Sequence, residues 1–202
     1  MIKQPLTVDE VIGGAADRYA ALGFQTREDL GQHFLRTPDA AHALLERAGI
    51  PTGAHVLEVG AGLGTLSWAI ATAGHRIWAV EKDERLREHL TERLAPFGAR
   101  ARVTFDDVRR VDLDGGLDLG SALVSIMPFD PELACGLIRH VFTCPRVEFA
   151  LVVVPSGCAR LLAGCADLVV EEVDGIARSA FWPPAPTLLR VLAIGRRSTC
   201  RN

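Results

Sequence analysis

The sequence lacks the features that would tie it to a membrane, a disulfide scaffold or a metal. None of its apolar runs is long enough to span a bilayer, and the opening Met1-Ile2-Lys3-Gln4-Pro5 has no signal-peptide core, so a cytoplasmic protein is expected. Cysteine is sparse: Cys135, Cys144, Cys158, Cys165 and Cys200 make an odd set without a C-x-x-C pair. That argues against a disulfide framework and a structural zinc site, and leaves ordinary, mostly buried thiols. His33, His55, His75, His89 and His140 are too scattered for ligand spacing, so no metal is expected. Ser156 lies in Pro155-Ser156-Gly157, not in the G-x-S-x-G elbow of a hydrolase. Positive charge is not in excess: a net charge of −3 gives no global attraction to a polyanion. Arg109, Arg110, Arg196, Arg197 and Arg201 are candidates for a local basic patch, but scattered arginines also read as a solvated face.

What the sequence does contain is Val56-Leu57-Glu58-Val59-Gly60-Ala61-Gly62-Leu63-Gly64-Thr65-Leu66, which reads as a buried strand, a glycine turn and a helix. Without Cβ atoms, Gly60, Gly62 and Gly64 let the chain turn sharply and a ligand approach the backbone. About twenty residues on, the spacing of one βαβ unit, Arg76–Val80 is a second apolar strand that ends at Glu81, an acid placed to bind a ribose. The turn is G-x-G-x-G, whereas the dinucleotide fingerprint is G-x-G-x-x-G. Glu58 just before it would repel a pyrophosphate but suits the cationic amino-acid end of S-adenosyl-L-methionine, which we therefore favour over NAD.

The chain is long enough for one domain with a full core. Thr7-Val8-Asp9-Glu10 has the form of a capping box, followed by a helical run to Leu22 and a stop at Gly23. Residues 25–35 have no clean period and read as an ordered loop. Thr37 and Pro38 start a helix that runs to about Ala48. From His55 strands and helices alternate, the pattern of a parallel sheet covered on both faces. The predicted strands are His55–Val59, Arg76–Val80, Arg102–Phe105, Ala122–Ile126, Val147–Val154, Leu168–Val173 and Leu188–Ile194, the last two forming an antiparallel hairpin. Helices are predicted over Thr65–Ala73, Glu84–Leu94, Pro131–Phe142 and Gly157–Ala163. Ligands of such sheets bind at the carboxyl ends of the strands, which gathers the glycine turn, Glu81, Asp106-Asp107 and Ser125–Phe129.

Several stretches together resemble the rRNA adenine dimethyltransferase family, which includes the small-subunit dimethylases and the macrolide-resistance methylases. Gly31-Gln32-His33-Phe34-Leu35 is similar to its G-Q-[NH]-F-L entry motif, and Leu57–Leu66 to its E-[IV]-G-x-G-x-G-x-L loop. Glu81 matches its ribose-binding acid, Asp106-Asp107-Val108 its adenine contact, and Phe181-Trp182-Pro183-Pro184-Ala185-Pro186 a shortened form of its proline segment. The resemblance implies a Rossmann-like class I methyltransferase fold, α/β with a seven-stranded, mostly parallel sheet. It implies a single domain over 1–202, with N-terminal helices and entry loop over 1–54, a cofactor-binding core over 55–202, and without the family's C-terminal helical domain. S-Adenosyl-L-methionine would be held by Gln32, His33, Leu35, Glu58, Gly60, Gly62, Gly64, Glu81, Lys82, Asp106, Asp107 and Ser125. Methyl transfer would take place at Ile126, Met127 and Phe129, with Phe34 closing over the methyl group.

The departures bear on the acceptor. Where the family ends its fourth strand in [NDS]-[LI]-P-[YF], this chain has Ile126-Met127-Pro128-Phe129. Phe129 keeps a ring to stack on a base, but the amine-accepting side chain is replaced by isoleucine. Ser125, one residue out of register, points to the opposite face unless the strand bulges. The family's basic cluster before the entry motif is here Arg27-Glu28-Asp29, and its polar segment between the fifth and sixth strands is short. Three functions remain open: methyl transfer to adenine in RNA, most directly rRNA; methyl transfer to a small molecule in an enclosed apolar site; and a cofactor-binding partner protein without catalysis. Oligomeric state is left open.

Overall fold

The computed structural model describes residues 15–197. The predicted capping box at Thr7–Glu10, the start of its helix, Cys200 and Arg201 lie outside the described residues. In chain order the elements are α1 (Ala15–Ala21), β1 (Phe34–Leu35), α2 (Pro38–Ala48), β2 (His55–Val59), α3 (Thr65–Thr72), β3 (Arg76–Glu81), α4 (Arg87–Leu94), β4 (Ala101–Phe105), α5 (Leu113–Gly116), β5 (Ser121–Ile126), α6 (Pro131–Val141), β6 (Val147–Pro155), α7 (Cys158–Leu162), β7 (Leu168–Ile176), β8 (Phe181–Trp182) and β9 (Leu189–Arg196).

Seven strands form one sheet in the order β4-β3-β2-β5-β6-β9-β7. The first five are parallel, and β9 runs antiparallel to both β6 and β7. The C-terminal hairpin is therefore present, with its second strand inserted between β6 and the edge strand β7. Strand alternation divides the core in two. Leu57 and Val59 of β2, with Trp78 and Val80 of β3, face α6 and α7, while Val56, Ile77 and Ala79 face α2 and α3. Each fully buried aliphatic side chain contributes about 1.5–3 kcal/mol, so this two-sided burial fixes the strand register. Helix α6 starts where Asp130 Oδ1 accepts the Leu133 N–H at 2.7 Å and Pro131 takes the first turn. Cys135, Cys144 and Cys158 are buried thiols and Cys165 a half-buried one.

Two local features differ from the sequence reading. Phe34–Leu35, inside the predicted loop, is a short strand paired antiparallel with β8: Phe34 opposite Trp182 and Leu35 opposite Phe181. Two residues carry too little period to be seen; their partner lies nearly 150 positions away. The segment after β4 also folds into a 3-10 turn at Val108–Arg110 and the one-turn α5, capped by the Asp107 and Asp112 side chains. No helix among the described residues is long and apolar enough to cross a membrane.

Candidate active site

The site grows from the turn after β2. Gly60, Gly62 and Gly64 all have positive φ, at 76°, 57° and 72°. Gly60 N–H donates to the Val80 carbonyl at 2.8 Å, and Gly62 N–H donates to Glu81 Oε2 at 2.7 Å. The other oxygen, Glu81 Oε1, accepts the N–H groups of Lys82 at 2.8 Å and Asp83 at 2.7 Å. Burial raises the Glu81 pKa, and these backbone donors oppose the shift. Glu81 thus joins two strand ends while also lining the cleft.

Gly64 has a different job from the one its spacing implies. It lines neither of the two cavities described below; a Cβ there would meet Leu90 Cδ1 at 2.8 Å and Arg93 Cδ at 3.0 Å. Its carbonyl accepts from Arg93 Nε at 3.1 Å. The third glycine admits α4 against the turn.

Glu58 is buried, and Ser67 Oγ donates to its Oε2 at 2.5 Å. Burial pushes its pKa up to about 8; Ser67 opposes the shift, the nearby Glu81 adds to it and Arg93 opposes it. Burial thus favours the protonated carboxyl over the carboxylate inferred from the sequence. The side chain still faces a second cavity, and a cation placed there would draw its proton off.

At the other end of the cleft, the Asp107 carboxylate is held by its neighbours. Its Oδ1 accepts Arg109 N at 3.1 Å and Nε at 2.9 Å, while Oδ2 accepts Arg109 Nη2 at 2.5 Å and Lys82 Nζ at 3.1 Å. The Arg109 guanidinium, with some help from Lys82, holds this carboxyl far below the usual range. Asp106 accepts the Asp107 N–H at 2.7 Å and pairs with Arg110 at 2.7 Å. Lys82, Asp106, Asp107 and Arg109 all line the cleft. Arg109, read from the sequence only as part of a scattered basic set, belongs to the site because the turn after Asp107 folds it back.

The entry segment closes the front. Gln32 Nε2 donates to Asp83 Oδ2 at 2.7 Å, and its Oε1 accepts the Arg27 N–H, so its amide anchors the segment. A Cβ on Gly31 would come within 3.2 Å of Phe129 N, and one on Gly62 within 3.0 Å of Phe34 Cδ1. Phe34 thus covers the glycine turn and stacks on Trp182, with centroids 6.0 Å apart. The Leu35 carbonyl accepts from Thr65 Oγ1 at 3.3 Å. His33 lies flat on Phe129, centroids 4.8 Å apart and planes 21° apart, with its Nδ1 2.8 Å from the Pro183 carbonyl oxygen.

That stack changes the expected acceptor site. Phe129 is buried, meets Phe181 edge to face at 5.2 Å, and lines neither cavity; one face of its ring is covered by His33. Ser125 also lines neither cavity. No bulge interrupts β5 there, and its buried hydroxyl donates to the Val59 carbonyl at 2.6 Å on the face opposite Ile126. Ile126 lines both cavities, whereas Met127 and Pro128 line the main cleft with Leu133 and Leu137. The two leucines were missed, although their i, i+4 spacing just after Phe129 is the signal for one face of α6.

The main cleft encloses about 870 Å3 including its open mouth, and the second cavity about 340 Å3. Five residues line both: His33, Phe34, Gly60, Gly62 and Ile126. One cavity therefore offers Glu81, Lys82, Asp106 and Asp107, the other offers Glu58 and Thr65, and the residues they share are mostly without polar side chains. Residues 23–167 match the family model for ribosomal RNA adenine dimethylase.

The chain belongs to that family.

Among its relatives, the ribosomal RNA small subunit methyltransferase A of Deinococcus radiodurans is 35% identical, the match covering 81% of this chain and 59% of the relative. That of Nocardia farcinica is 32% identical, covering 92% of this chain and 64% of the relative. This family member thus spans less than two thirds of the length of either. The fold is shared with the 23S rRNA methyltransferase ErmE, at TM-score 0.69 and 22% identity over 82% of this chain and 70% of that one. It is shared also with a dimethyladenosine transferase from Plasmodium falciparum, at TM-score 0.67 and 17% identity over 81% of this chain and 63% of that one. The family is one of methyltransferases, and the seven-stranded sheet is the Rossmann-like scaffold of these neighbours.

Proposed function

We propose that this chain is an S-adenosyl-L-methionine-dependent methyltransferase acting on adenine in RNA, rRNA being the acceptor named for its relatives, in the cytoplasm. The observation that carries the reading is the pair of cavities joined at the Gly60–Gly62 turn, polar at both far ends and apolar where they meet. The cofactor fits the donor set. Glu81 and the Lys82, Asp106 and Asp107 rim suit the adenosine end; Glu58 and Thr65 suit the amino-acid end. The bare backbone of Gly60, where a Cβ would find only the Ile126 carbonyl at 3.9 Å, leaves the turn open to close approach. When bound, the cofactor supplies an activated methyl group.

The protein's own task is orientation. Phe34 and Ile126 give the junction an apolar lining, and Met127, Leu133 and Leu137 extend it along the main cleft. Holding an amine nitrogen against a reactive methyl removes much of the entropic barrier, and no strong base is required.

The test is methyl-label transfer from S-adenosyl-L-methionine in cell extract, separated into RNA, protein and small-molecule fractions, with Gly62→Arg as the control that fills the turn. Label in RNA upholds the reading. Label in small molecules alone moves the assignment to another acceptor, and cofactor binding by calorimetry without label in any fraction removes catalysis.

A further inference from the structure

We propose that His33 supplies the hydrogen-bond acceptor that positions the methyl-accepting amine, at the junction where Ile126 offers none. The proposal rests on the reading of this cleft as a site of methyl transfer to adenine. Of the five residues that line both cavities, Phe34 and Ile126 end in hydrocarbon and Gly60 and Gly62 carry no side chain; His33 is the one with a side-chain heteroatom.

The hydrogen bonding of the ring sets which nitrogen is available. Nδ1 lies 2.8 Å from the Pro183 carbonyl oxygen, which can only accept, so Nδ1 carries the proton. In the neutral imidazole Nε2 is then a bare lone pair, on the ring edge turned away from Pro183. No protein partner for Nε2 occurs among the described residues.

The ring is also fixed. Phe129 backs one face at 4.8 Å, and Phe181 meets Phe129 edge-on. The pairing of β1 with β8 holds the adjoining backbone. Phe129, expected to stack on the acceptor, thus acts as the support of His33. An amine that donates one N–H to Nε2 has its remaining valences oriented by a rigid group, the form of positioning that accelerates transfer.

Several other side-chain acceptors of the two cavities already hold donors. Glu81 takes three backbone N–H groups, Asp107 takes Arg109 and Lys82, Gln32 Oε1 takes Arg27 N–H, and Glu58 takes Ser67.

The decisive experiment is nitrogen NMR of the full chain carrying 15N-histidine and loaded with S-adenosylhomocysteine, with the His33 signals assigned by their loss in His33→Phe. Adenosine is titrated in, and N6,N6-dimethyladenosine, which has the same ring but no amine hydrogen, in parallel. The methyl signals of Ile126 and Met127 report occupancy. The expected result is that both nucleosides perturb those methyl signals and only adenosine moves His33 Nε2 towards the shift of a hydrogen-bonded nitrogen. Equal movement by both nucleosides, or occupancy by adenosine with Nε2 unmoved, overturns the role of His33 and leaves the proposed function standing. No perturbation by either nucleoside overturns both. In methyl-label transfer to RNA, His33→Phe keeps the aromatic stack and is expected to lower turnover about tenfold at unchanged cofactor affinity, while His33→Gln, which keeps an acceptor, retains most of it. Equal turnover in the two variants also overturns the proposal.

Discussion

The Gly62 N–H donates to Glu81 Oε2 at 2.7 Å, so the acid that ends β3 holds the turn that follows β2. With Lys82 and Asp83 N–H on its other oxygen, Glu81 faces three donors. An amide in its place must turn an NH2 group towards at least one of them. Glu81→Gln is therefore expected to lose about 1–3 kcal/mol of stability as well as cofactor affinity. Urea denaturation checks the first and calorimetry the second; affinity lost at unchanged stability would mean that Glu81 serves the ligand alone.

The three glycines of the turn separate into binding and packing roles. Gly62→Ala sets a Cβ 3.0 Å from the Phe34 ring at a φ of 57° and moves the wall of the cleft. Gly64→Ala sets one 2.8 Å from Leu90 Cδ1 at a φ of 72°, away from both cavities. The second is expected to cost about 1–3 kcal/mol while the folded protein still binds cofactor. The first is expected to lose about tenfold or more in affinity, beyond its stability change. Melting curves with and without S-adenosylhomocysteine distinguish them.

Ser125 gives a cleaner contrast. Its hydroxyl joins β5 to the last residue of β2 at 2.6 Å, on the far side of the sheet from the junction. Ser125→Ala is expected to cost about 1 kcal/mol of stability and to leave cofactor affinity and methyl transfer unchanged. A specific loss of affinity would restore it to the cofactor site.

Glu58 makes stability depend on pH. Its folded-state pKa of about 8 lies above the ordinary 4.5, so between these values the folded protein holds a proton that the unfolded chain has released. Stability from this group is complete below about 4.5, declines as pH rises through the window by at most about 1.4 kcal/mol per unit, and levels off above about 8. Denaturation midpoints should therefore fall between pH 5 and pH 8, with a shallower slope in Glu58→Gln. Identical slopes would mean that Glu58 is already ionised at pH 5.

The sheet was legible because burial on both faces writes continuous apolar strands, as in Ala122-Leu123-Val124, and because Glu81 and the glycine turn occupy fixed places in one βαβ unit. Boundaries fell within a few residues for the same reason. The acceptor end was not legible in the same way. Phe129 has the right residue type at the right position, yet what uses its ring is His33, brought there by the pairing of two-residue strands far apart in sequence. Asp107 similarly shows its chemistry in its type, but its engagement by Arg109 depends on a turn of three residues that no periodicity announces. Glu58 shows the limit for charge: the sequence gives a carboxyl group, and only its burial decides the proton.

Ile126 and His33 flank the same junction, which makes their substitutions interdependent. Ile126→Asn brings a side-chain carbonyl to the place where the family carries an amine acceptor. In the protein with His33 intact, one acceptor already serves the amine, so the gain in label transfer to RNA is expected to be under about threefold. In His33→Phe the same substitution supplies the acceptor that is missing, and a recovery of about fivefold or more is expected. Ile126 also packs into the core on the α2 and α3 side, so rates are to be referred to folded protein. The double-mutant cycle isolates the coupling from the separate cost of each change. If Ile126→Asn changes the rate by the same factor in both backgrounds, the two positions do not share one amine, and the acceptor nitrogen must be held by the backbone of residues 126–128.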